Sequence, residues 1–226
     1  MAALGAAGLG ACAVLAACSP VQLGAAAIVG NQRITVSSLD TQVSNLQTAV
    51  KHYGSAIPSS AAAAQSAQQP ATVLSWLVRF AVMDQVAASN GISVTPAESN
   101  AALSGLTSQA QQYGLSSANE LLVASGVPPQ LFQQAGRWEA EETVYALKVN
   151  GGKLPASQTE ENNVSSALNK AQCTAATTLN IKVSPQFGRF DYAPATFSVV
   201  SAGNTLSRPA GTPSPASTEG LTSAAC

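Results

Sequence analysis

Charge is scarce in this chain. Only 9% of its 226 residues are Asp, Glu, Lys or Arg, and the net charge is −1. There is no basic stripe, so a phosphate-neutralising surface is excluded, and nucleic acid with it. There is no acidic block either. Aromatics make up 5%, and the single histidine is His52. A lone histidine without a positioned partner does not make a general acid or base, and His52 reads as a surface residue near the end of the first helix. No His/Cys cluster has metal-ligand spacing. Neither Gly8-x-Gly10 nor Gly151-Gly152 is followed by the Lys-Ser/Thr of a phosphate loop. No Gly-x-Ser-x-Gly nucleophile elbow occurs, and there is no internal repeat. The sequence therefore predicts no catalytic residues, no metal and no cofactor. What it has in place of charge is a neutral polar surface of Ala, Ser, Gln and Thr, of the kind high-GC actinobacterial genomes write.

Cysteine is sparse but well placed. An apolar Ala/Gly/Leu-rich run over residues 2–14 leads into Leu15-Ala16-Ala17-Cys18, followed by Ser19-Pro20. The run matches the length of a secretory h-region and falls short of the ~20 apolar residues of a membrane span. The arrangement resembles a bacterial lipobox, in which the cysteine takes a diacylglycerol and the leader is removed. The alternative is an Ala-rich buried helix with an incidental cysteine. No Lys or Arg precedes Arg33, so the basic n-region is missing; a start codon upstream of Met1 would supply it. The lipobox reading makes residues 1–17 a signal peptide, 18–26 an anchor linker, 27–200 the folded domain and 201–226 a disordered Ser/Thr/Pro/Ala tail. It places the protein on the extracytoplasmic face of the cell membrane, held by lipid on Cys18. Cys12 leaves with the leader, so Cys173 and Cys226 remain. Outside the cytoplasm they are expected to form a disulfide; two free thiols, or a Cys226 in a mixed disulfide, are the alternatives.

The folded part reads as mostly α, with a few short strands near both ends. Ile28/Val29 and Ile34/Val36 flank Gly30-Asn31 as strand, turn, strand. Ser37-Ser38-Leu39-Asp40 is expected to cap a helix to about Tyr53. Residues 54–69 read as a loop, and Pro70 as the first turn of a nearly all-apolar core helix to about Asn90. Three Ser/Thr-x-x-Glu boxes, Thr95/Glu98, Ser117/Glu120 and Ser157/Glu160, open three further helices. Another helix runs from about Gln130 to Val149. Residues 180–191 read as one strand ending in a turn, and 196–200 as a second strand.

The order of these parts carries a resemblance. Val29-Gly30-Asn31-Gln32 with Ile34-Thr35, the Ser-x-Leu-Asp helix start ending at Asp40, Val94-Thr95-Pro96-Ala97-Glu98, and the late Ile181-x-Val183-Ser184-Pro185-Gln186-Phe187-Gly188-Arg189-Phe190-Asp191 together resemble the N-terminal domain of SurA-type and PrsA-type extracytoplasmic chaperones, in particular actinobacterial SurA N-terminal-domain lipoproteins. The match is one of arrangement, over residues 26–191. It implies that the first strands pair with Ile181–Val183 beside the helices. It also implies a module that binds unfolded or exported polypeptides without nucleotide. Complete SurA and PrsA proteins carry a parvulin prolyl-isomerase domain, for which the helical stretch of residues 151–180 leaves no room.

Three functions stay open on the sequence: a lipid-anchored holdase, a SurA/PrsA-type prolyl isomerase, and an accessory envelope lipoprotein with one dedicated protein partner. Trp138, among charges on a polar helix, is the leading exposed contact for a polypeptide, followed by Leu131 and Phe132 after the Pro128-Pro129 break. Trp76 and Phe80 are expected in the core. Glu139 and Glu142 share a helix face, read as solvated.

Overall fold

The computed structural model describes residues 24–54, 59–194 and 196–201. Cys12, Cys18 and Cys226, the expected leader, and the expected tail from residue 202 lie outside them. Two short strands, β1 (Ala25–Val29) and β2 (Gln32–Thr35), precede six helices: α1 (Val36–Tyr53), α2 (Ser59–Ser89), α3 (Pro96–Gln112), α4 (Ala118–Ala124), α5 (Phe132–Val149) and α6 (Gln158–Leu179). Three strands follow, β3 (Lys182–Val183), β4 (Arg189–Asp191) and β5 (Ser198–Val200). The mostly helical fold with short flanking strands is the one expected.

The helix starts show why. Thr95, Ser117 and Ser157 each sit in extended conformation and accept from the amide three residues on, satisfying a donor the first turn leaves free. The reciprocal half differs. Glu98 bonds the amide of its own cap residue, Thr95, at 2.7 Å. Glu120 and Glu160 reach one residue further, to the amides of Ser116 and Ala156. The cap of α1 is Thr35, which accepts from Ser38, so the helix begins ahead of the Ser37-Ser38 pair expected to cap it.

Three boundaries differ from the expected ones. α2 begins at Ser59 and carries Pro70 inside it. Proline removes one backbone donor, but the Ala61-to-Ala64 run before it is strongly helix-forming and the helix continues through. The stretch from Asn180 to Asp191 is two strands. Ser184 accepts from the amide of Phe187 at 2.9 Å, with Pro185 at the turn position that suits its fixed φ. β1 also takes in Ala25 and Ala26, both buried, although residues up to 26 were read as linker.

β1 is the middle strand of a three-stranded sheet, order β2-β1-β3, with both pairings antiparallel. Ala27 faces Val183 and Ile28 faces Lys182, which is the pairing of the first strands with the Ile181–Val183 segment that the resemblance implied. Gly30, at φ +58°, donates to the Leu179 carbonyl and sits where a Cβ would lie 2.8 Å from the Leu179 side chain. The sheet thereby docks on the end of α6.

The core forms around α2. Val73, Leu74, Val78, Val82 and Met83 are fully buried, packed with Leu39 and Leu46 of α1 and Ala176 of α6. The segment Gln69–Ser89 has the length and composition of a membrane span, and 56% of its apolar window is buried inside the fold, as befits a core helix. A separate hairpin, β4 with β5, is clasped to α2. Ser75 accepts from the Val199 amide at 2.8 Å, and Arg79 donates to the carbonyls of Phe197 and Thr196 at 2.9 and 3.3 Å. α3 and α5 approach closely at Gly136, where a Cβ would stand 2.6 Å from the Ser99 carbonyl. A second apolar cluster, with Phe80, Leu106, Leu122, Val127 and Leu131, fills the space between α2, α3 and α4.

Candidate functional site: an apolar groove with two tryptophans

The second cluster does not close completely. A groove of about 500 Å³ opens between α2, α3, α4 and α5. Trp76 and Trp138, the only two tryptophans of the chain, both line it. Their rings meet edge to face, 5.9 Å between centroids at 88°, a favoured aromatic geometry. Trp76 is further fixed by its indole N–H, which donates to the Ser125 carbonyl at 2.9 Å, and by Phe80, 5.7 Å away. Leu106 and Leu121 supply aliphatic walls, and Tyr113, 67% exposed, stands on the rim. Gly126, at φ +83°, lets α4 turn away tightly enough to lie on Thr72 of α2. Rigid indoles in a concave, half-open, largely apolar site are what a polypeptide side chain requires for burial.

Behind the groove is a group of charges. Arg79 lies over the Trp76 ring, its guanidinium carbon 5.3 Å from the centroid; burial lowers its pKa, and the neighbouring Glu142 acts against this. Glu142 is half-buried. Burial pushes its carboxyl up to about 8, with the adjacent Glu139 adding to the rise and Gln172 and Arg79 opposing it. Burial also raises Glu139. The face carrying Glu139 and Glu142 is therefore only partly solvated, where a solvated face is expected: Glu142 is turned toward Arg79 and Gln172 of α6, and Glu139 lines the groove. On the other side of α5, Glu141 is buried and bonded to Arg137 at 2.8 Å, and Arg137 reaches Asp84 at 2.7 Å. Among the described residues no three His, Cys, Asp or Glu side chains gather as a metal site.

The family model described as SurA-like N-terminal domain matches residues 9–139. The chain belongs to this family. No curated protein and no solved structure matches it. The matched span is more than half of the chain and includes every residue lining the groove. Membership in the SurA-like N-terminal domain family points to a chaperone-like role in general, consistent with polypeptide substrates.

Within this SurA-like domain the residues singled out from the sequence fall in different places. Trp138 is half-buried, because Trp76 covers one side of it, but it does line the groove. Leu131 is buried in the second cluster and is held in the core. Phe132 is half-buried against both clusters and does not reach the groove wall. Phe80 is core as expected, whereas Trp76, also expected there, is a groove residue. Sequence reasoning missed Tyr113, Leu121 and Glu139. The available signal was Tyr113-Gly114 at the end of α3, an aromatic beside a helix stop. Cys173 is buried on α6, and the other cysteine of its expected pair lies outside the described residues.

Proposed function

We propose that this SurA-like domain is a lipid-anchored extracytoplasmic holdase that shields apolar segments of unfolded or exported polypeptides without nucleotide. The observation that carries the reading is the groove, with both of the chain's tryptophans on an open apolar wall. Anchoring would come from acyl chains on Cys18, each buried methylene contributing about 0.8 kcal/mol, and a Cys173–Cys226 bridge would suit that compartment.

The test uses protein from Ser19 onward with a chemically unfolded client. Suppression of aggregation near a one-to-one ratio, without acceleration of prolyl isomerisation, is expected. Trp138→Ala and Trp76→Ala should weaken suppression while circular dichroism shows the helices intact. If neither activity is found, the dedicated-partner reading takes over; isomerisation would favour the enzyme. In cells, Cys18→Ser should leave the membrane fraction, and a variant that stays there refutes lipid anchoring.

A further inference from the structure

Of the residues that line the groove, only Glu139 is charged. The other acidic residues of α5, and Asp84 and Glu120 on α2 and α4, all have partners. Glu142 accepts from Gln172, Glu141 and Asp84 are paired with Arg137, and Glu120 accepts from the Ser116 amide. Glu139 has no side-chain hydrogen bond or ion pair among the described residues. Arg79, the cation over Trp76, is already committed: it donates to Thr196 and Phe197 and acts electrostatically on Glu142. A carboxylate half-buried on an apolar wall without a counter-charge is costly unless a ligand brings one. A purely apolar occupant would deepen that cost by removing the remaining water. A cation would relieve it, and would also lie among aromatic rings, the Trp138 indole and the Tyr113 phenol, of the kind that attract positive charge.

We propose that the groove selects polypeptide segments in which a Lys or Arg lies beside an apolar residue, the apolar side chain packing against the paired indoles and the cation meeting Glu139. This rests on the reading that the groove binds polypeptide, and it names which segments are taken. It also gives that carboxylate a purpose: discrimination among apolar segments that the tryptophans alone would accept equally.

Trp76 and Trp138 are the chain's two tryptophans, so intrinsic fluorescence reports on the groove directly. Three tryptophan-free peptides with one apolar core and a flanking Lys, Gln or Glu are titrated into the protein. The Lys peptide is expected to bind about fivefold tighter than the Gln peptide, with the Glu peptide weakest. The preference should shrink in high salt and fall below about twofold in Glu139→Gln. Equal affinity for the Lys and Gln peptides, or a preference that survives in Glu139→Gln, overturns the selection and leaves polypeptide binding standing. Failure of all three peptides to bind overturns both.

Discussion

Glu142 makes stability depend on pH in a direction opposite to that of an ordinary ion-paired carboxylate. In the unfolded chain a glutamate releases its proton near pH 4.5, whereas the folded domain keeps the proton on Glu142 up to about pH 8. Across that interval the native state holds a proton that the unfolded state has lost, so unfolding free energy falls as pH rises and levels off above about 8. At ~1.4 kcal/mol per pH unit the interval caps the loss at about 5 kcal/mol. Water at the half-buried site and movement of Arg79 reduce this, and a loss of about 2 kcal/mol between pH 5 and pH 8.5 is expected. Glu139, Glu141 and Asp84 are also raised by burial and add to the slope in the same sense. The difference between wild type and Glu142→Gln isolates Glu142. Urea denaturation of both at pH 5, 7 and 8.5 is the assay. The Gln variant should match wild type within about 1 kcal/mol at pH 5 and exceed it by about 2 kcal/mol at pH 8.5. Parallel pH profiles for the two proteins would refute the reasoning.

Gly136→Ala should lower stability by about 1–2 kcal/mol although alanine is the better helix former, because the new methyl meets the Ser99 carbonyl across the α3–α5 contact; thermal unfolding checks it. Thr95→Ala removes the only reciprocal box among the described helix starts and should cost about 1 kcal/mol, with faster amide exchange confined to the first turn of α3. Arg137→Ala strands the buried Glu141 and should cost about 2 kcal/mol, less than a fully buried pair because the guanidinium is half exposed. Glu141→Gln added to it should recover part of the loss, measured as a double-mutant cycle.

What the sequence showed best was what side chains decide locally. Thr95 with Glu98, and Ser117 and Ser157 with their downstream glutamates, announce helix starts through their own hydrogen-bonding chemistry, and those starts are where they were expected. The nearly all-apolar pattern from Val73 to Val86 likewise declared a central helix. Pro70 misled, because the first turn favours proline but the residue does not require it. Which face of α2 stays open was not legible: Trp76 lies on a helix that is apolar all round, and only the crossing of α4 and α5 leaves it uncovered. Trp138 was picked out by its charged neighbours, yet its use of Trp76 as a wall depends on the same crossing. The inward turn of Glu142 was hidden for the same reason, since its partners Gln172 and Arg79 lie on other helices.

The middle position of β1 has a consequence for how the chain is completed. β2 follows β1 directly and covers one of its edges at once, but the other edge waits for Lys182 and Val183, after all six helices have emerged. Contacts so far apart in sequence form slowly, and an open strand edge templates unwanted pairing while it waits. A chain crossing a membrane amino end first would expose that edge for the whole of its passage. Fragments ending before Lys182 should therefore keep their helices and self-associate through β1, while those ending after Val183 should not.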